Sequence, residues 1–262
     1  MDAAAVGTVA SHQCTDGGAL YHRAVATTEE RRSKLTAVYR EARSCTRCAE
    51  LASTRTQVVF GAGNSDADLM FVGEAPGARE DEQGVPFVGA AGKLLDELLG
   101  EVGLARADVF ITNVLRCRPP GNRDPLPAEI ENCSEYLMRT VALIQPRVIC
   151  TLGNFSTKLL RGETIGITKL HGQAEIRVIG ERAVRLYPLF HPAAALYTRS
   201  LLETLRADFA RLPGLLELRP PEQPVRPEPE PEPVTPEPEP VAEPEQAAPA
   251  ADAADDRQLG LF

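Results

Sequence analysis

Four short, mostly apolar runs punctuate the middle of the chain, and each stops at a small or polar residue. Leu69-Met70-Phe71-Val72 ends at Gly73, Val109-Phe110-Ile111-Thr112 at Asn113, Arg147–Leu152 at Gly153, and Val184–Phe190 at His191-Pro192. Runs of this length and composition predict buried strands. Around them the apolar period lengthens to that of helices. Residues 28–43 follow a Thr–Glu start and place Leu35, Val38 and Tyr39 on one face. Residues 90–102 are amphipathic, 127–144 begin with a proline, 155–160 open a further helix, and 193–211 read as the last one. Strand–helix alternation predicts an α/β fold with a parallel sheet covered on both faces. Ligands in such sheets bind beyond the carboxyl ends of the strands. The expected site therefore lies at Gly73–Gly77, Asn113, Gly153-Asn154 and His191.

The ends of the chain differ in kind. The 262 residues carry a formal charge of −9, yet residues 219–262 hold 11 Asp/Glu against 3 Arg, a net of −8. The rest is almost neutral, so overall charge neither supports nor excludes nucleic-acid binding. Twelve of the 22 prolines also fall after residue 218, in runs such as Pro227-Glu228-Pro229-Glu230. Such a segment cannot bury a core and predicts an extended linker. At roughly 3 Å per residue, residues 219–249 would span on the order of 90 Å. Residues 1–28 are small and polar and read as a flexible extension. The expected organisation is an extension over 1–28, a folded domain over 29–213, a disordered linker over 214–257, and a terminal apolar peptide, 258–262. No run of 18 apolar residues and no signal-peptide pattern is visible, which points to the cytoplasm and away from membranes.

Cys45, Cys48, Cys117 and Cys133 are the candidate metal ligands. The first two form a C-x-x-C turn; the third follows 69 positions later and the fourth 16 after that. Four thiolates suit a structural zinc or an iron–sulfur cluster. Zinc ribbons usually take a second close pair, so the 16-residue step favours iron–sulfur. Cys150 sits in an apolar run and reads as a core thiol, and Cys14 lies in the extension. Gly73-Glu74-Ala75-Pro76-Gly77 makes a tight loop whose backbone can approach a ligand. Phe87, in Pro86-Phe87-Val88-Gly89, is a candidate platform for a planar ligand. Asn113 offers a donor and an acceptor to a base edge. Arg116, Arg118 and Arg123 surround Pro119-Pro120-Gly121 and read as an exposed basic loop. Gly89-Ala90-Ala91-Gly92-Lys93 lacks the glycine and hydroxyl of a phosphate loop.

In this order, the four cysteines, Gly-Glu-Ala-Pro-Gly at 73–77, Pro-Phe-Val-Gly at 86–89, Asn113 and His191-Pro192 closely resemble the family 4 uracil-DNA glycosylases. The resemblance covers about residues 30–213. It implies a three-layer α/β/α fold with a four-stranded parallel central sheet, a [4Fe-4S] cluster on the four cysteines, and hydrolytic removal of uracil from DNA. It implies that Phe87 stacks on the uracil and Asn113 reads its O4/N3–H edge. His191 would bond O2, and Glu80 would crowd C5 to exclude thymine. Asn122 matches a further site position, and the amides of the loop from Gly73 through Ala75 to Gly77 would orient the base. The related glycosylases that place a water-positioning Asp in this loop have it where Ala75 stands. Glu74 is then the candidate for supporting the sugar cation or positioning water in a dissociative reaction. A covalent-trapping subgroup has a reactive His after the second strand; residues 116–124 contain none, so turnover is expected.

Gln258-Leu259-Gly260-Leu261-Phe262 resembles the Gln-Leu-x-Leu-Phe peptide that bacterial proteins insert into the sliding clamp, with Gln258, Leu259, Leu261 and Phe262 as its contacts. The expected protein is a monomeric glycosylase acting on uracil-containing DNA, single- or double-stranded, tethered to the clamp. Two alternatives stay open: a non-catalytic, metal-clipped DNA-binding adaptor on the clamp, and a glycosylase of broader deaminated-base specificity.

Overall fold

The computed structural model describes residues 27–224. Cys14, nearly all of the expected extension, the Pro/Glu-rich linker from residue 225 and the terminal peptide lie outside the described residues. Helix α1 (Thr28–Arg43) starts at a capping box. Thr27 Oγ1 accepts from the Glu30 N–H at 3.2 Å, and the Glu30 carboxylate accepts from the Thr27 N–H at 2.8 Å. Thr27 and Thr28, expected in the extension, thus belong to the ordered domain. After α2 (Ala49–Thr54) come β1 (Ala62–Gly63), β2 (Leu69–Gly73), α3 (Ala78–Gln83), α4 (Ala90–Glu101) and β3 (Phe110–Asn113). A 3-10 turn at Pro120–Asn122 leads to α5 (Pro127–Ile144), β4 (Val148–Leu152), α6 (Asn154–Arg161) and α7 (Ile167–Leu170). Strands β5 (Glu175–Ile179) and β6 (Arg182–Leu189) precede α8 (Pro192–Ala195), α9 (Arg199–Phe209) and α10 (Leu212–Glu217).

The sheet order is β1-β3-β2-β4-β6-β5. The four expected strands, β3-β2-β4-β6, are parallel and central. The sheet has six strands rather than four, because β1 and β5 add antiparallel edges. Neither edge carries an apolar run. β1 is two residues long and ends in glycine, and β5 turns Ile176 and Val178 to solvent. The central strands alternate between two cores. Met70 and Val72 pack with Val38 of α1 and with Leu137 and Val141 of α5. Leu69 and Phe71 pack with Leu95, Leu98 and Leu99 of α4 and with Leu205 and Phe209 of α9. Burial on both faces explains why these strands read as unbroken apolar runs. Each fully buried Leu or Phe contributes about 1.5–3 kcal/mol.

β2 and β4 are neighbours although β3 lies between them in sequence, so the strand order reverses there. The crevice beyond Gly73 and Gly153 is therefore the natural ligand position. The helix expected over 193–211 is two helices, separated where Thr198 takes extended backbone. Residues 214–224, expected in the linker, belong to the described fold. α10 continues to Glu217, and the Gln223 side chain accepts from Ala183 N at 3.2 Å and donates to Ala183 O at 2.9 Å. Among the described residues no helix is long and apolar enough to cross a membrane.

Candidate active site and cysteine site

The carboxyl ends of the strands open into a cavity of about 360 Å³, walled by Glu74, Ala75, Glu80, Phe87, Asn113, Asn122 and His191. Every side chain expected at the base site is in this wall. Gly73 lies behind it. A Cβ at that position would stand 2.3 Å from Asn113 Oδ1 and 2.8 Å from the Phe87 ring, so only glycine lets the two meet.

Phe87 is buried and held in left-handed backbone, φ 53°. For a bulky residue this conformation is strained and persists only where its surroundings fix it. Arg106 donates to the Phe87 carbonyl at 3.0 Å and also holds the Pro86 carbonyl. Glu80 Oε1 accepts from the N–H groups of Val88 and Gly89, both at 2.9 Å. A Cβ at residue 92 would lie 1.8 Å from the Phe87 carbonyl oxygen, which explains Gly92. Glu80 therefore lines the cavity while one of its oxygens ties down the Phe87 loop. The sequence alone offered no hint of this second task.

Asn113 ends β3 with 2% of its surface exposed, and among the described residues its buried Oδ1 has no hydrogen-bond partner. An unpaired buried acceptor costs about 1–3 kcal/mol. Asn113 also lines the cavity, so its amide is within reach of a ligand bound there. His191 lines the same cavity, its ring 5.7 Å from that of Phe87 and inclined by 28°. Burial lowers the His191 pKa to about 4, partly offset by Glu80, so the imidazole is neutral at pH 7. His191 Nδ1 accepts from the Ala193 N–H at 3.1 Å. The ring proton of the neutral form therefore sits on Nε2, which is free to donate. Glu74 is half-buried, and its pKa is raised by burial and then by Asp124. Asn122 takes left-handed backbone, and its Oδ1 accepts from Arg118 Nε at 2.7 Å.

The basic loop is less free than its composition suggested. Arg116 is not exposed at all: 1% of its surface is accessible, because its guanidinium folds back beneath the end of β3. Arg123 is paired with Glu50 at 2.7 Å and with Glu129 at 2.6 Å, which fastens the loop to α2 and α5. Arg123 also reaches the cavity wall, as do Pro119 and Ala91.

The four expected cysteine ligands surround one small void, with Leu51, Arg55, Arg116 and Tyr136. α1 delivers Cys45 and Cys48, Cys117 follows β3, and Cys133 sits on α5. Three of the sulfurs accept hydrogen bonds. Arg55 Nη1 approaches Cys117 Sγ at 3.2 Å, the Arg116 N–H approaches Cys133 Sγ at 3.3 Å, and Asn132 Nδ2 approaches Cys48 Sγ at 3.5 Å. Such donors suit anionic sulfur. As free thiols Cys117 and Cys133 resist ionisation, since burial pushes Cys117 up to about 11 and raises Cys133. Among the described residues no group of three or more Cys, His, Asp or Glu side chains is gathered to hold a single metal ion. Cys150 is a core thiol, as its run predicted.

The profile of the uracil DNA glycosylase superfamily matches residues 60–212. The chain is 45% identical over 189 residues to a type-4 uracil-DNA glycosylase of Archaeoglobus fulgidus, a match covering 70% of this chain and 94% of that one. It is 48% identical over 174 residues to a type-4 uracil-DNA glycosylase of Sulfurisphaera tokodaii, covering 64% of this chain and 79% of that one. It is 46% identical over 187 residues to a type-4 uracil-DNA glycosylase of Saccharolobus solfataricus, covering 69% and 85%. With the profile spanning more than half of the chain and these relatives matched over most of their length, the chain belongs to the type-4 uracil-DNA glycosylases.

Proposed function

We propose that this enzyme hydrolyses the N-glycosidic bond of deoxyuridine in DNA and releases uracil, opening base-excision repair. The observation that carries the reading is Asn113, whose Oδ1 has no hydrogen-bond partner among the described residues, in the wall of a cavity it shares with Phe87 and His191. The nucleotide is flipped from the stack at a cost of a few kcal/mol. Phe87 stacks on the extruded ring. Asn113 Oδ1 accepts the uracil N3–H and its amide donates to O4. Cytosine presents the reverse polarity and leaves both groups unpaired. Neutral His191 donates from Nε2 to O2 as negative charge builds on the departing base. Glu80 borders the cavity where a C5 methyl would intrude. The test is a labelled oligonucleotide holding one uracil, with thymine and hypoxanthine controls and alkaline cleavage of abasic sites. Cutting at uracil alone supports the reading. Cutting at hypoxanthine as well would widen the substrate class, and no cutting would favour an adaptor.

Glu74 supports the sugar cation or positions the attacking water, since Ala75 has no acid to offer. Only the carboxylate form serves either task. Activity should therefore fall on acidification through the Glu74 pKa, which lies above the ordinary 4.5. Glu74→Gln should lower single-turnover cleavage by about 10²-fold, the usual worth of one acid–base group, and abolish that acid limb. Full turnover in this variant would remove the role.

The four cysteines fit a [4Fe-4S] cluster: four sulfurs from three separate segments, three of them receiving N–H donors, around a void rather than one ion-sized point. When bound, such a cluster clips α1 to the loop after β3 and to α5. Cys133→Ser should lose the visible absorption and iron. A lost staple of about 2–4 kcal/mol would lower Tm by about 5–15 °C. Zinc in the parent protein would overturn the assignment.

We infer further that the acidic tail tethers this monomeric domain, in the cytoplasm, to the sliding clamp through Gln258, Leu259, Leu261 and Phe262. Deleting 258–262 should abolish clamp pull-down and spare cleavage of short oligonucleotides. Pull-down that survives the deletion would refute it.

A further inference from the structure

We propose that Arg116 is a positioning residue for base reading, linking the end of β3 that carries Asn113 to the sulfur of Cys133. The proposal rests on Asn113 as the base reader. Arg116 Nη1 donates to the Asn113 carbonyl at 2.7 Å and to the Thr112 hydroxyl. Nη2 reaches the Thr140 hydroxyl on α5 at 3.4 Å. The guanidinium lies against the Phe60 ring, 5.1 Å from its centroid. At the other end, the Arg116 backbone N–H donates to Cys133 Sγ at 3.3 Å. One residue thus touches the base-reading strand end, α5 and the cysteine site.

The cost of this arrangement argues for a task. Burying an arginine is expensive unless a counter-charge meets it. Among the described residues no carboxylate is a hydrogen-bond or ion-pair partner of it; its side chain bonds only neutral oxygens there, and Nε has no partner. The nearest sulfur is that of Cys133, which accepts from its backbone N–H at 3.3 Å. A buried methionine or leucine would fill the same space at lower cost, but neither would hold the Asn113 carbonyl. Among the described residues Asn113 Oδ1 has no hydrogen-bond partner, so the amide's direction depends on how firmly its backbone is fixed. Fixing that carbonyl before uracil arrives removes an ordering cost from binding.

The experiment is a double-mutant cycle in the full-length, iron-loaded protein, combining Arg116→Met with Asn113→Ala. Iron content, Tm, single-turnover rate and calorimetric affinity for free uracil are read for each variant. The expected result is a folded, iron-loaded Arg116→Met with uracil affinity and rate both lowered about 10–100-fold. In the Asn113→Ala background the same change should cost almost nothing, because the group being positioned is gone. Arg116→Lys, which reaches one acceptor of the pair, should fall between Met and parent. Equal losses in both backgrounds would overturn the proposal, as would an unaltered uracil affinity in a folded Arg116→Met. If Arg116→Met fails to fold, Arg116→Lys takes its place in the cycle and the same two outcomes decide. If neither folds, the arginine is structural and the proposal falls. An Asn113→Ala that keeps uracil affinity and rate would instead sink the base-reading assignment itself.

Discussion

Asn113→Ala should lower kcat/KM on a single-uracil oligonucleotide by about 10²–10³-fold while leaving Tm unchanged or slightly raised. The two halves of this result have one origin. Among the described residues Asn113 Oδ1 is buried and unpaired, and that costs stability. Alanine removes the orphan and with it the penalty. In the complex the same amide meets the N3–H and O4 of uracil, and its loss withdraws two hydrogen bonds made in a water-poor cavity. Together these are worth about 3–4 kcal/mol of transition-state stabilisation. Steady-state kinetics beside thermal unfolding separates this from simple damage. A variant that loses activity only in proportion to lost folded protein would show that Asn113 is a structural amide and that the base is read elsewhere.

Much of this site was legible because its residues follow strands whose apolar runs are unmistakable. Gly73, Asn113 and His191 stand where Leu69–Val72, Val109–Thr112 and Val184–Phe190 stop, and the fold puts Asn113 and His191 in the cavity wall with Gly73 behind Asn113. The elements that escaped notice are those whose stability is not written as a run. β5 alternates Glu175, Ile176, Arg177 and Val178, but its apolar side faces water and its charged side folds into ion pairs with Arg161 and Glu163. The strap after α10 is fixed by Gln223 on the Ala183 backbone and by Arg185 on the Arg219 carbonyl, contacts with no periodicity to detect. Arg116 escaped for a different reason. Arginine is rarely buried without a carboxylate, and its neighbours Arg118 and Arg123 made the stretch look like a solvated basic loop. Its place beside Cys117, immediately after a buried strand, was the one available hint. Glu80 likewise gave no sign that it would accept from two backbone amides.

His191 should contribute as a neutral donor, and this makes its pH behaviour distinctive. His191→Ala is expected to lower kcat by about 10²–10³-fold, as for loss of one donor to a developing anion, with a small change in KM. His191→Gln keeps an N–H donor and should recover part of the loss. Because the pKa of His191 is near 4, its ionisation should impose no change in rate between pH 6 and pH 8. A mechanism using the imidazolium would instead lose rate as pH rises through the ordinary value of 6.5. Folding stability gives an independent readout. The folded pKa lies below the unfolded one, so between about 6.5 and about 4 the unfolded chain binds more protons. The contribution of His191 to stability is therefore intact above pH 6.5 and fades as pH falls toward 4. Ala193 reinforces the sign, since its N–H donates to Nδ1 and a proton on that nitrogen would break the bond. Replacing His191 by alanine should flatten this part of the stability–pH curve. A parent protein whose kcat falls tenfold per pH unit above 6.5, with His191 protonated by NMR at neutral pH, would show that burial does not keep the ring neutral and that the charge itself drives departure of the base.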